Sequence, residues 1–437
     1  MLRMLFHPKS LKFLACIALA ALTFSSSCKT VESSSGSLSE KSRTKTDVFF
    51  AEMYKKYNPY PIQDDPETPD DCQSLFKEAD PSVPYKGVVV YFHGFTACPQ
   101  QFYEFAQIMA KKGYSALAVL MPGQGRFPAP FNNDGKKTIN GRKYKDYYSE
   151  YLPVKKGDDW KRYLNFVSDV NTFAATLPGE KLVTGLSVGG QLAAYAYVER
   201  PGLYKRALLI SSYLGMPGSY SGRNSTTSGG MLNSLRRLSG DTIYHITKAV
   251  SQQGSNLDII ADREVSWGDK CYQQTRGFNG NPGRRGICDF HVENIAAINS
   301  LGEYILGQIK ASPALTQIPQ IQYVGPEWDT GGDTLLVRKA IGYQKARFGD
   351  DKVNACFFPN VVPHSMFARK DIAVLPETPW INSFMLETTK FLETGATYKV
   401  SQEPSEETQW DGASDQDSGV FQNRCDVYAV DYSKVSP

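Results

Sequence analysis

Histidine is scarce in this chain, and features that define several classes of protein are missing. Only five of the 437 residues are histidine. No internal segment is apolar over the ~18 residues that a membrane-spanning helix needs. No C-x-x-C pair and no Cys/His cluster with zinc spacing occurs, so no metal site is predicted. Basic and acidic residues nearly balance, at 48 and 45, which argues against a nucleic-acid-binding protein.

The first residues have the features of an export signal. A basic front is followed by an apolar stretch at 13–24, which predicts a signal peptide over residues 1–27. The following serines and Cys28 resemble a bacterial lipoprotein processing site, in which the cysteine is acylated. Ser25 stands where an aliphatic residue is usual, so simple secretion with Cys28 removed is the alternative. We predict a periplasmic or cell-surface protein, held at the membrane by a lipid on Cys28 and a Ser-rich flexible tether at 28–46.

The cysteines agree with export. Of eight cysteines, Cys16 lies in the leader and Cys28 at the candidate lipidation site, which leaves six. An even number fits disulfides in an oxidising compartment, although the sequence does not fix their pairing. Cys271 and Cys288 flank a Gly/Arg/Pro-rich loop and are the preferred pair. Closing a loop of that size would stabilise the fold by roughly 3 kcal/mol.

From residue 86 onward, short apolar runs alternate with longer amphipathic segments. The continuous β-branched and aromatic run at 87–92 is typical of a strand buried on both faces. Strands are predicted at 87–92, 114–121, 181–184, 206–210, 320–324 and 353–358, and helices at 100–112, 160–177, 191–198, 334–347 and 379–392. This alternation predicts an α/β fold with a mostly parallel sheet covered by helices on both faces.

One segment is too long for an ordinary connection between elements. Residues 213–317 separate two predicted core strands and are interpreted as an inserted lid or cap. The predicted organisation is a signal peptide at 1–27, a tether at 28–46, a core at 47–212 and 318–396, a lid at 213–317 and a polar tail at 397–437.

The segment 185–189 reads G-x-S-x-G, with Ser187 at its centre. The motif alone is weak, but an apolar strand leads into it and an Ala-rich helix follows. Such a strand–turn–helix lifts a serine hydroxyl above the sheet and directs the N–H groups of the helix towards developing negative charge. Ser187 is therefore the candidate nucleophile.

A serine nucleophile needs a base that accepts its proton. His364 follows the last predicted strand and therefore lies at the same sheet edge as Ser187, which makes it the candidate base. His93 ends the first predicted strand and is interpreted as a brace for that turn. His245 and His291 fall in the predicted lid and are interpreted as solvated or packed side chains.

A third group must orient the imidazole. Residues 211–240 contain no Asp or Glu, which excludes the exit of the strand at 206–210. The next strand exit offers Glu327, Asp329 and Asp333. Asp329 is the first choice, and Asp333 is the alternative because it could instead cap the helix at 334–347.

The oxyanion of a tetrahedral intermediate needs N–H donors. Val188, the residue after the nucleophile, supplies one backbone N–H. The loop at 93–96 supplies the second, and Phe95 is the predicted donor.

These motifs resemble the α/β-hydrolase family, specifically lidded lipases and carboxylesterases. The resemblance covers about 86–392 and is carried by the H-G-F-T loop at 93–96, the P-G-Q-G turn at 122–125, the elbow at 185–189 and His364. It implies the order Ser187, Asp329, His364 for nucleophile, acid and base.

The residues and the resemblance together predict an exported serine hydrolase. It would cleave small-molecule or lipid esters through an acyl-serine intermediate, with no cofactor and no nucleic-acid partner. A peptidase, thioesterase or acyltransferase could use the same residues. A surface lipoprotein that binds a ligand without turnover is the alternative from a different class.

Overall fold

The computed structural model describes residues 35–58, 73–124, 138–139, 142–143, 160–215, 292–326, 329, 331–358, 364 and 380–397. The chain divides into two units at Ser42 and Arg43. Of the first unit, only 35–42 are described, and they are helical. No helix within these ranges combines the length and apolarity needed to cross a bilayer.

A seven-stranded sheet forms the centre of the second unit. Its strands are β1 (Leu75–Lys77), β2 (Gly87–Phe92), β3 (Tyr114–Ala118), β6 (Glu180–Leu186), β7 (Arg206–Ile210), β8 (Gln320–Pro326) and β9 (Val353–Phe358). They lie in the order β1-β3-β2-β6-β7-β8-β9, and all neighbours are parallel except β1 with β3. The short strands β4 (Thr138–Ile139) and β5 (Arg142–Lys143) pair separately.

Helices cover both faces of this sheet, as the sequence predicts. They are α1 (Ser35–Tyr57), α2 (Tyr103–Lys111), α3 (Lys161–Thr176), α4 (Val188–Glu199), α5 (Val292–Ala311), α6 (Thr334–Phe348) and α7 (Trp380–Thr394). One core cluster joins a sheet face to α3, α4, α5, α6 and the part of α1 after Arg43. The other joins the opposite face to α2 and α7. Strands buried on both faces explain why the sequence runs are continuously apolar.

The strand order has a switch point between β2 and β6. From β2 the chain continues to β3 on one side, and it later returns past β2 to β6 on the other side. The direction in which the chain crosses the sheet therefore reverses between these two strands. In open α/β sheets, ligands bind at such a switch point.

The flexible tether predicted at 28–46 is wrong from Ser35 onward, where α1 begins. Thr46, Phe49, Phe50, Met53 and Tyr57 recur at helical spacing and are all buried. This apolar face packs into the core and stabilises a helix that the Ser-rich first half does not predict.

The predicted lid at 213–317 differs from the structure at both ends. Helix α5 packs in the main core, with Leu301, Ile305 and Ile309 fully buried. Leu214 is also buried, and its backbone lies against this helix at Gly302. A Cβ added to Gly302 would come within 2.8 Å of the Leu214 carbonyl carbon. Residues 213–215 and 292–317 thus belong to the core. The intervening 216–291 lie outside the described residues, as do the leader with Cys28 and the tail from 398 onward.

Candidate active site

Ser187 lies on a sharp turn between β6 and α4. Its φ of 59° and ψ of −120° are rare for a residue with a side chain, at a cost of about 1–3 kcal/mol. The turn is held because the Ser187 N–H donates to the Ile210 carbonyl and the Ser187 carbonyl accepts from the Tyr213 N–H, both at 2.9 Å. The surrounding backbone therefore fixes this strained conformation.

The glycines on either side of Ser187 are required by close backbone contacts. A Cβ at Gly185 would lie 2.0 Å from the Gly189 carbonyl oxygen. A Cβ at Gly189 would lie 1.9 Å from the Phe92 carbonyl oxygen. The first turn of α4 thus lies directly on the end of β2, which brings the N-terminus of α4 beside the loop that leaves β2.

His364 and Asp329 are in direct contact. The Nδ1 atom of His364 lies 2.7 and 2.8 Å from the two carboxylate oxygens of Asp329. A carboxylate only accepts hydrogen bonds, so Nδ1 carries the proton and Nε2 is the basic nitrogen of the neutral ring. Asp329 is 4% exposed, and its Oδ1 also accepts the Gly331 N–H at 2.7 Å. The arrangement orients the imidazole through a buried carboxylate.

Asp333 does not occupy the same role. It is the N-cap of α6, where its Oδ1 accepts the Leu335 N–H at 2.8 Å. Its own N–H donates to the Gly215 carbonyl. The structure thus separates the two candidate acids, with Asp329 on the imidazole and Asp333 on a helix end. Glu327 lies outside the described residues.

A short series of contacts joins the imidazole to the turn at Ser187. The Tyr213 N–H donates to the Ser187 carbonyl. The Tyr213 backbone also lies against Gly332, where an added Cβ would be 3.6 Å from the Tyr213 Cα. The neighbouring Gly331 lies against the His364 ring, where a Cβ would come within 2.5 Å of Cγ. These contacts place His364 and Ser187 on the same edge of the sheet.

The loop after β2 is braced by His93. The Met121 N–H donates to His93 Nε2 at 3.0 Å, so the proton resides on Nδ1, which donates to the Gly94 carbonyl at 2.9 Å. Complete burial lowers the pKa of His93 to about 4 and keeps the ring neutral. His93 is thus committed to the backbone, in agreement with its predicted bracing function.

Phe95 and Val188, the predicted oxyanion donors, lie on adjoining segments. Val188 begins α4, and further along the first turn the N–H groups of Gly190 and Gln191 donate to the Ser187 carbonyl. In the loop, the N–H groups of Gly94 and Thr96 donate to the side chains of Gln101 and Gln124, each at 2.8 Å. The sequence analysis missed both glutamines: Gln101 follows the loop along the chain, and Gln124 is brought to it by the fold.

Among the described residues, no group of three or more His, Cys, Asp or Glu side chains could hold a metal ion. His245, His291 and the preferred cysteine pair, Cys271 and Cys288, lie outside those residues.

No protein-family model matches the chain, and no curated protein matches its sequence. Among solved structures, it is similar to a metagenome-derived lipolytic enzyme, at 13% identity over 74% of this chain and 98% of that one, with a TM-score of 0.44. It is similar to the monoacylglycerol lipase of Paleococcus ferrophilus, at 12% identity over 74% and 98%, with a TM-score of 0.43. It is also similar to an esterase from Exiguobacterium antarcticum, at 13% identity over 74% and 96%, with a TM-score of 0.42.

The chain has the α/β-hydrolase fold. This assignment follows from the mostly parallel sheet with helices on both faces, and from the strand–turn–helix that carries Ser187.

Proposed function

We propose that this protein is a serine hydrolase that cleaves carboxylic esters, with Ser187 as nucleophile, His364 as base and Asp329 as the orienting acid. The observation that carries the proposal is the contact of His364 Nδ1 with both oxygens of buried Asp329. This contact lies at the sheet edge that presents Ser187 on a strained turn. An imidazole paired with a buried carboxylate at the edge where a serine sits on a strained turn is the arrangement that a nucleophilic serine needs.

The proposed reaction has two steps. Ser187 Oγ attacks the ester carbonyl carbon while His364 Nε2 takes the hydroxyl proton, and Asp329 stabilises the imidazolium that forms. The intermediate collapses to an acyl-serine, and the departing alcohol takes the proton from His364. Water then attacks the acyl-serine with His364 as base, which releases the carboxylic acid and restores Ser187.

The negative oxygen of each intermediate would be bound by the N–H groups of Phe95 and Val188. Val188 supports this role because it begins a helix, whose N-terminus favours negative charge. In the loop, the N–H groups of Gly94, Thr96 and Ala97 donate to other acceptors, so these three are unsuitable. Losing one such donor typically costs ~2.7–4 kcal/mol of transition-state stabilisation.

Labelling with a fluorophosphonate tests the nucleophile. The probe should label the wild-type protein and fail to label Ser187→Ala. The matched control is Ser212→Ala, which removes a buried hydroxyl from the neighbouring strand exit and should label normally. Equal labelling of wild type and Ser187→Ala would overturn the assignment. No acyl-enzyme, together with tight ligand binding, would favour a binding protein without turnover.

The substrate class rests on the resemblance of 86–392 to lipases and carboxylesterases. We expect hydrolysis of p-nitrophenyl esters, with a rate that depends on acyl chain length, and no hydrolysis of aminoacyl anilides. Faster cleavage of the anilides would assign a peptidase instead.

Export and lipidation of Cys28 are also proposed. They rest on the leader sequence alone, since residues 1–34 lie outside the described residues. In a bacterial host, the protein should partition with membranes, and Cys28→Ala should release it. A soluble wild-type protein whose mature chain begins after Cys28 would contradict lipidation.

The lid at 216–291 and the Cys271–Cys288 disulfide likewise stay proposals. Peptide mapping without reductant should recover the two cysteines in one linked fragment, whereas two separate thiol peptides would refute the pair. Removing the lid segment should change the ester chain-length profile if the segment contacts the acyl group.

A further inference from the structure

Gln124 lies just after β3 and bonds to the loop that leaves β2. Its Oε1 accepts the Thr96 N–H at 2.8 Å, and both side chains are fully buried. Thr96 has a φ of 61°. A β-branched residue rarely adopts this left-handed conformation, which is kept only where the surroundings enforce it.

This bond holds one of the two peptide groups that flank Phe95. The preceding peptide is held through the Gly94 carbonyl, which accepts from His93 Nδ1 at 2.9 Å and from the Ala97 N–H at 3.1 Å. In a trans peptide the N–H points opposite to the carbonyl, so these bonds set the direction of the Phe95 N–H. The following peptide is held through the Thr96 N–H by Gln124.

We propose that Gln124 is a positioning residue for the oxyanion site: it keeps Thr96 in the left-handed conformation and thereby fixes the direction of the Phe95 N–H. This inference rests on the proposed function, in which Phe95 is an oxyanion donor. Gln124 itself touches neither the substrate nor the reacting atoms.

The physical consequence of losing Gln124 follows from the strain at Thr96. Without the Oε1 acceptor, the buried Thr96 N–H has lost this bond, and the φ of 61° is no longer enforced. When Thr96 relaxes to negative φ, the turn closed by the Ala97 N–H and the Gly94 carbonyl opens. The Gly94–Phe95 peptide, which carries the Phe95 N–H, then loses one of the bonds that hold its direction. A misdirected donor stabilises the oxyanion less, and this effect appears only when negative charge forms on the substrate oxygen.

The test compares Gln124→Met, which keeps the side-chain length and removes the amide oxygen, with the wild-type protein. Active sites are first titrated with the fluorophosphonate, so that rates refer to competent molecules. We expect kcat per titrated site on a p-nitrophenyl ester to fall about 10- to 100-fold, part of the loss that removing a whole donor causes. KM should change less than threefold. The inhibition constant of an aryl boronic acid, which forms a tetrahedral adduct on serine, should rise by a similar factor.

Gln124→Glu is the second variant, because its carboxylate oxygen can still accept the Thr96 N–H. We expect it to retain kcat per titrated site within tenfold of wild type. Equal impairment of Gln124→Glu and Gln124→Met, or a kcat per titrated site within threefold of wild type in Gln124→Met, would overturn the inference. An unlabelled and inactive wild type would instead refute the proposed function.

Discussion

Gly331 provides the sharpest test of the position of His364. A Cβ at Gly331 would lie 2.5 Å from Cγ of the imidazole and 2.6 Å from Cδ2 and Nδ1. Ordinary contact at this position requires about 3.4 Å, so Gly331→Ala forces the ring to move by roughly 0.9 Å. The residue has no positive φ, and the substitution therefore acts through this contact and not through backbone strain.

The expected loss follows from the geometry. Nδ1 now lies 2.7 and 2.8 Å from the Asp329 oxygens, and a shift of that size stretches these bonds and misplaces Nε2. A displacement of about 1 Å costs ~10²-fold in rate. We expect kcat/KM of Gly331→Ala to fall by about that factor, which corresponds to ~2.7 kcal/mol of transition-state stabilisation.

The neighbouring glycine supplies the control. A Cβ at Gly332 would lie 3.4 Å from the Ser212 carbonyl oxygen and 3.6 Å from the Tyr213 Cα, which are ordinary contacts. Gly332→Ala should therefore keep kcat/KM within threefold of wild type. The assay is p-nitrophenolate release, with thermal unfolding of all proteins measured in parallel. A folded Gly331→Ala with the activity of Gly332→Ala would refute the placement of His364 as the base.

Four further predictions concern the site and the residues that support it. Asp329→Asn should lower kcat by about 10⁴-fold without loss of folding, because the imidazole loses its orienting carboxylate. Asp333→Ala should instead lower the free energy of unfolding by about 1 kcal/mol, through loss of the helix cap, and keep activity in the ester assay. The pKa of His93 is lowered from 6.5 to about 4, so the unfolded chain binds a proton there that the folded chain excludes. The free energy of unfolding should thus fall by about 3 kcal/mol as the pH drops from 6.5 to about 4. In urea unfolding, the free energy of unfolding of His93→Gln should depend less steeply on pH over this range. Gly189→Ala should lower the free energy of unfolding by about 4 kcal/mol or more, or prevent folding, because its Cβ would overlap the Phe92 carbonyl oxygen. Soluble yield and circular dichroism measure this effect.

Most strands of the sheet could be predicted from the local sequence. The strands at 87–92, 206–210 and 353–358 were predicted residue for residue, because strands buried on both faces appear as continuous apolar runs. Strand β1 was missed because Leu75–Lys77 is a short antiparallel edge with no periodic pattern of its own. Helix α1 was missed because its first half is Ser-rich and polar, and apolar residues begin only with Val48 and Phe49.

The residues that hold the site in place were harder to predict from the sequence. Gln101 and Gln124 look like ordinary polar residues in the sequence. Gln124 reaches the loop only because β2 and β3 are neighbours, whereas Gln101 follows the loop directly along the chain. The requirement for glycine at 331 likewise depends on a ring that lies 33 residues later in the chain.

The sequence by itself determined the alternation of strands and helices, the turn at Ser187 and the candidate residues at each strand exit, since these depend on periodicity and on short-range turn chemistry. Only the tertiary structure shows that Asp329 and Asp333, which follow the same strand, make different contacts. One meets an imidazole from a distant loop, and the other meets the N–H groups of its own helix. Local sequence contains the second contact but not the first, which exists only once β8 and β9 lie side by side.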